Sequence, residues 1–119
     1  MFTFHNLTET KIAELRDEKF VISKTQDALD LFGDLIPTNC TKIIIHERNL
    51  HPDFFILRNG IAGDILQKFS NYRIKVAFIG DFSKFTSKSL QDFIRESNKG
   101  KGIFFLENID TALNKLAGK

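Results

Sequence analysis

The sequence predicts one α/β domain over residues 1–119, of order β-β-α-β-α-β-α-β-α, with a mixed, mostly parallel five-stranded sheet and four helices. Three observations predict it. Short apolar runs rich in β-branched residues, at residues 42–45, 74–79 and 103–106, read as strands covered on both faces. The segments between them carry apolar residues at i, i+3, i+4 and i+7, the spacing of one helix face. A chain of 119 residues has room for a single hydrophobic core only.

Taken in order, Ile12 and Ala13 among polar neighbours, followed by Arg16-Asp17-Glu18-Lys19 and then Phe20-Val21-Ile22, predict an N-terminal hairpin of residues 11–15 with 20–22. Its short connection makes the first strand antiparallel to its neighbour, whereas strands separated by helices pair in parallel. Thr25 is placed to cap a helix that turns Ala28, Leu31, Phe32 and Leu35 inward, and Pro37 ends it. Residues 42–45, apolar on both faces, predict the central strand. A second helix starts between Asp53 and Gly60 and turns Leu57, Ile61, Ile65 and Phe69 inward, with Asp64, Gln67, Lys68 and Asn71 opposite. Gly80-Asp81 turns the chain after the next strand. Thr86 or Ser87 then caps a helix with Leu90, Phe93 and Ile94 inside. After the last strand, Asn108 caps a terminal helix with Ile109, Ala112, Leu113 and Leu116 on one face.

Hydrophobic residues at 42% and charged residues at 27% match globular usage and exclude a disordered or collagen-like chain. A net charge of +2 argues against a dedicated nucleic-acid binder. No aromatic residue interleaves Lys99-Gly100-Lys101-Gly102 either, so no nucleic-acid partner is expected. The single Cys40 excludes an intrachain disulfide, and no apolar run reaches signal-peptide or membrane-spanning length. A cytoplasmic protein without a membrane span is the expectation. Thirteen Phe against one Tyr and no Trp read first as a bulky interior, because Phe needs no hydrogen-bond partner, and second as a surplus exposed at an interface.

Ligands of open α/β sheets bind beyond the carboxyl ends of the strands. There the sequence gathers His46, Glu47, His51, Asp53 and Asp81, together with Asp27, as candidate ligand-binding groups. Two imidazoles and two carboxylates have zinc-ligating chemistry, but His46 and His51 lie five apart with Pro52 following, unlike the helical zinc-protease spacing, so no metal is expected. No nucleophile stands at a recognisable spacing from a base, and Cys40 reads as a small buried hydrophobe, so no catalytic residue is assigned. Asp27, Asp53 and Asp81 equally suit helix starts, where an anion offsets the dipole. Gly60 and Gly63 form no nucleotide fingerprint, no cofactor is implied, and close helix-to-sheet packing is the expected reason for them. The polar stripe Asp64, Gln67, Lys68 and Asn71, continued by Tyr72 and Arg73, can hydrogen-bond a partner through its amides and phenol.

Gln26-Asp27-Ala28-Leu29-Asp30-Leu31, residues 60–73 from Gly60 to Arg73, Gly80-Asp81-Phe82-Ser83 and residues 92–98 from Asp92 to Asn98 resemble the bacterial family known as domain of unknown function 4180. The element order is similar to that of STAS domains and of the small SEC14-like domains. The STAS resemblance implies binding to a protein partner at the start of the helix after the central strand. In STAS antagonists a serine directly before a glycine is phosphorylated there. Asn59 precedes Gly60 here and has no hydroxyl, so the phosphoswitch does not carry over. The segment 75–81, Phe104-Phe105 and Ala112-Leu113 are similar to SEC14-like domains, which implies an apolar ligand.

Two functional expectations follow. The first is a non-catalytic cytoplasmic regulatory module that binds an unknown protein partner, or itself as a homodimer, through Asn59, Gly60, Gly63, Asp64, Gln67, Lys68, Asn71 and Tyr72. The alternative is a binding protein or small enzyme for an apolar or anionic small molecule, with its site at the carboxyl ends of the strands. In that case Phe54, Phe55, Phe82 and Phe85 form an apolar pocket near His46, His51 and Asp81.

Overall fold

A computed structural model describes residues 1–118. Strands β1 (Phe2–Leu7) and β2 (Thr10–Leu15) form an antiparallel hairpin. Then follow α1 (Thr25–Leu35), β3 (Lys42–His46), α2 (Ile61–Asn71), β4 (Lys75–Ile79), α3 (Lys88–Lys99), β5 (Ile103–Leu106) and α4 (Ile109–Leu116). The sheet order is β1-β2-β3-β4-β5, with β2 to β5 parallel and β3 in the middle. The expected mixed α/β architecture is therefore present.

The hairpin lies one strand earlier than expected. Phe2 pairs with Leu15 and Leu7 with Thr10 across a Thr8-Glu9 turn. Phe20-Val21-Ile22 forms no strand: Ile22 makes one isolated parallel bridge to Leu50, and its amide donates to the Asn49 carbonyl at 2.7 Å. The fully buried Asn49 donates its side-chain amide to the carbonyls of Asp17 and Phe20, both at 2.9 Å, which holds this stretch as an ordered loop. The physical consequence is that β2 becomes an interior strand, paired on both sides.

Alternation along the strands divides the core. On one face Ala13, Leu15, Ile43, Ile45, Val76, Phe78 and Phe105 meet the apolar sides of α1, α2 and α3. On the other, Ile12, Ile44, Ala77, Ile79 and Phe104 meet Ala112 and Leu116 of α4. Most of the Phe surplus is interior: Phe78 stacks on Phe105 at 5.0 Å between centroids, and Phe69 meets Phe32 edge-on at 4.8 Å.

Local chemistry sets the helix starts. Asp27, in the first turn of α1, accepts from the Ser23 amide at 2.9 Å, the Ser23 hydroxyl at 3.0 Å and the Lys24 amide at 3.1 Å. Ser87 caps α3 and Asn108 caps α4, through Leu90 N at 3.3 Å and Thr111 N at 2.9 Å. Gly60 stands before α2 at φ +78°, the left-handed conformation that glycine adopts without steric cost. Close packing explains neither Gly60 nor Gly63, contrary to expectation: a methyl group at either would meet nothing within 4 Å. The close approach is at Gly80, where a Cβ would lie 2.5 Å from Glu47 Oε1 and 2.7 Å from Glu47 Cβ.

Candidate functional site

The strand-end residues separate into local units. Glu47 pairs with Lys84, whose ammonium stands 5.4 Å from the Phe85 ring centre. His51 Nδ1 accepts from the Asp53 amide at 3.1 Å and lies 3.7 Å from the Asp53 carboxylate, all within one exposed turn. Asp81 accepts from the Ser83 amide at 3.2 Å and the Ser83 hydroxyl at 2.5 Å, and these bonds hold its carboxyl below the usual aspartate range. Phe54 and Phe82 are core residues. Phe55 and Phe85 stack at 4.5 Å and, with Glu47, Leu50, Pro52 and Lys84, line a cleft of about 200 Å³.

His46 points elsewhere. Its Nε2 lies 2.7 Å from Glu14 Oε2, while His5 Nε2 lies 2.9 Å from Glu14 Oε1 and the Arg16 guanidinium donates to Oε2 at 3.2 Å. Glu14 follows Ile12 by two residues and so projects onto the sheet face that carries α4. Because α4 packs on β4 and β5, the β1–β3 corner of that face holds the polar cluster instead. Only 4% of Glu14 is exposed, so the carboxylate depends on these three donors. Burial pushes its carboxyl up, but the bonds from His5 and His46, with the charges of His46 and Arg16, outweigh burial and leave it below its ordinary value. An ionised carboxylate only accepts, so both imidazoles carry their proton on Nε2 and are oriented by Glu14. Among the described residues, no three His, Cys, Asp or Glu side chains are arranged to hold a metal ion. The two imidazole Nε2 atoms are spent on separate oxygens of the Glu14 carboxylate.

Sequence reasoning missed Glu14 and His5. The available signal was a carboxylate inside the apolar run Ile12-Ala13-Glu14-Leu15, which needs a partner once both sheet faces are covered.

The second group of candidates lies on and before α2. Asn59 is a structural tie: its amide donates to the Asp53 carbonyl and its side-chain oxygen accepts from the Ile61 amide, both at 2.9 Å. Gly63, Asp64, Gln67 and Asn71 are exposed, Gln67 donates to Asn71 at 2.9 Å, and Tyr72 is 51% exposed with its ring 5.3 Å from Phe32. The stripe borders two different neighbours. Tyr72 leans on α1, whereas Gly63, Gln67 and Ser70 form one wall of an open groove toward α3, whose other side includes Phe93 and Ser97. Leu66 and Ile103 also line this groove of about 230 Å³. It continues into a larger pocket at the amino ends of β4 and β5, the opposite end of the sheet from the one expected to bind ligand.

No curated protein and no solved structure matches the chain. The family described as Domain of unknown function (DUF4180) matches residues 7–116, and the chain belongs to that family.

Proposed function

We propose that this domain is a non-catalytic binding module whose partner, another protein or a second copy of the chain, engages the outer face of α2 and the groove beside it. One observation carries the reading. α2 and α3 lie on the same sheet face yet leave an open groove, with apolar side chains of Leu66, Phe93 and Ile103 along it and Gly63, Gln67, Ser70 and Ser97 supplying small or polar walls. At the strand ends, by contrast, each polar candidate is engaged by a neighbour, and the Ser83 hydroxyl is tied to Asp81 within one exposed turn. The resemblance of the element order to STAS domains agrees with a binding role, and Asn59 in place of a serine leaves this surface without their phosphoswitch.

A photo-cross-linking residue placed at Gln67 tests the proposal against the same residue placed at Lys84, on the far end of the sheet. A discrete adduct from position 67 that disappears when Gly63→Leu fills the groove is expected. Adducts of equal yield from both positions, or from position 84 alone, overturn it. Gly63→Leu is suited to the purpose because space is open around that backbone, so the fold has no reason to shift. Combined Gln67→Glu and Lys68→Glu substitutions leave folding intact and weaken the same adduct.

The second reading, a small-molecule site at the strand ends, rests on the stacked Phe55–Phe85 pair beside the Glu47–Lys84 ion pair. Its cleft of about 200 Å³ falls below the ~300–1,000 Å³ usual for such sites, and the neighbouring cavity of about 570 Å³ at Phe55, Arg58, Ser87 and Ser89 is lined by none of His46, Glu47, His51, Asp53 and Asp81, which ranks this reading second.

A further inference from the structure

We infer that the pocket at the mouth of the α2–α3 groove takes a small amphipathic anion: an apolar chain or ring ending in a carboxylate or phosphate. The inference goes beyond macromolecular binding at α2 and fails or survives separately from it.

The pocket holds about 490 Å³, within the ~300–1,000 Å³ of small-molecule sites. Phe69, Ile74 and Ile103 supply apolar lining, and Arg73, Lys75 and Lys101 stand around it. Each of those three cations is exposed, and none pairs with a carboxylate of the described residues. Glu96, the acid on the same wall, is bonded to Lys99 at 3.2 Å. The ends of α2 and α3 lie here too, and a helix C-terminus carries roughly −0.5 charge. Two of them supply about −1 against three cations, so offsetting the helix dipoles accounts for only part of the basic character.

The backbone of Arg73 supplies a second, independent observation. α2 ends in a Schellman motif: the Ile74 amide donates to the Phe69 carbonyl at 2.9 Å and the Arg73 amide to the Ser70 carbonyl at 3.1 Å. The residue in the left-handed position of such a motif is usually glycine. Here it is Arg73, at φ +56°. The fold thus tolerates strain to hold an arginine where glycine is favoured, and no acid among the described residues pairs with its guanidinium. Strain retained against the local preference is characteristic of binding and switch positions. A guanidinium matches a carboxylate or phosphate with two parallel hydrogen bonds, the two lysines add point charges, and Phe69, Ile74 and Ile103 shield the apolar body from water.

The test is an NMR titration of the full chain, read on backbone amides, with decanoate and decyl phosphate as probes and with decanol and acetate as controls for the tail and the head alone. Saturable shifts centred on residues 69–75 and 100–103, with decanol and acetate each weaker by about tenfold or more, are expected. Arg73→Gly should raise the melting temperature by relieving the backbone while weakening decanoate about tenfold, and Arg73→Lys should retain part of the affinity. A merely structural arginine would show no loss of affinity on becoming glycine. Absence of saturable shifts with both anions, equal binding of decanol, shifts centred on Phe55 and Phe85, or unchanged affinity in Arg73→Gly each overturn the inference. So does sedimentation with anionic vesicles without uptake of either free anion, which would assign the basic rim to a membrane surface. Loss of the decanoate site with the position-67 adduct intact removes this inference alone.

Discussion

Among the described residues, Glu14 is the one buried charge. A carboxylate 4% exposed is held by two imidazoles and a guanidinium, and hydrogen bonds to a charged group contribute about 1.5–3 kcal/mol each. Glu14→Gln keeps the shape but not the charge, and we predict a loss of about 2 kcal/mol near neutral pH, measured by urea unfolding. The pH dependence has a fixed sign. Because the folded carboxyl sits below its ordinary value near 4.5, its stabilisation is complete above that value and fades as pH falls through the folded one. The difference between wild type and Glu14→Gln should therefore shrink steadily as pH falls below about 4.5; a difference that stays constant would show that the charge is not what the cluster stabilises. The cluster was hidden in the sequence for a definite reason. With residues 11–15 paired to 20–22, Glu14 would have been on a strand near the edge with water available; pairing with Phe2–Leu7 made that strand interior and its carboxylate dependent on His5 and His46. His51, Asp53 and Asp81, in contrast, were gathered by the sequence at one end of the sheet, and each satisfies itself within two residues of its own position.

Elements with strong periodicity were readable from the sequence, and those without were not. Asn108 before α4, Ser87 before α3 and the strand Ile103–Leu106 stand where the pattern placed them, because capping and apolar spacing are local properties. β1 was missed because pairing is not local: Phe2–Leu7 alternates only moderately, and its partner decides which face is buried. One sheet edge is covered in a way no local pattern reveals. On β5, the Asn98 side chain donates to the Phe105 carbonyl at 3.0 Å and accepts from the Phe105 amide at 2.7 Å, standing in for a further strand. Such cover is one means by which edge strands are kept from pairing with other chains. Asn98→Ala should cost about 1–2 kcal/mol and speed hydrogen exchange at the Phe105 amide. Unchanged exchange there would show that β5 is protected by other means.

Taken as a whole, the molecule closes its own core. Its surface of 6792 Å² is close to the roughly 6,600 Å² that the scaling law gives for a compact chain of this mass. No helix among the described residues is long and apolar enough to cross a membrane. What remains open is placed unevenly. Three helices share one sheet face, but α2 packs on α1 while α3 packs on β5, and the gap between α2 and α3 widens into the pocket ringed by Arg73, Lys75 and Lys101. The sequence pointed to α2 through Gly63 and Gln67 but carried no sign of the groove, which follows from the spacing of two elements rather than from either one. The general preference for carboxyl strand ends pointed to the opposite end of the sheet.

Binding at the α2–α3 groove and binding at the strand ends are separated by native mass spectrometry. Wild type, Gly63→Leu and Lys84→Gln are purified gently and each spectrum is set against its denatured counterpart. A second copy or other bound mass carried by wild type and by Lys84→Gln, and lost in Gly63→Leu, is the result this account predicts. Bound mass that survives in Gly63→Leu and disappears in Lys84→Gln would contradict it and move the site to the Glu47–Lys84 end.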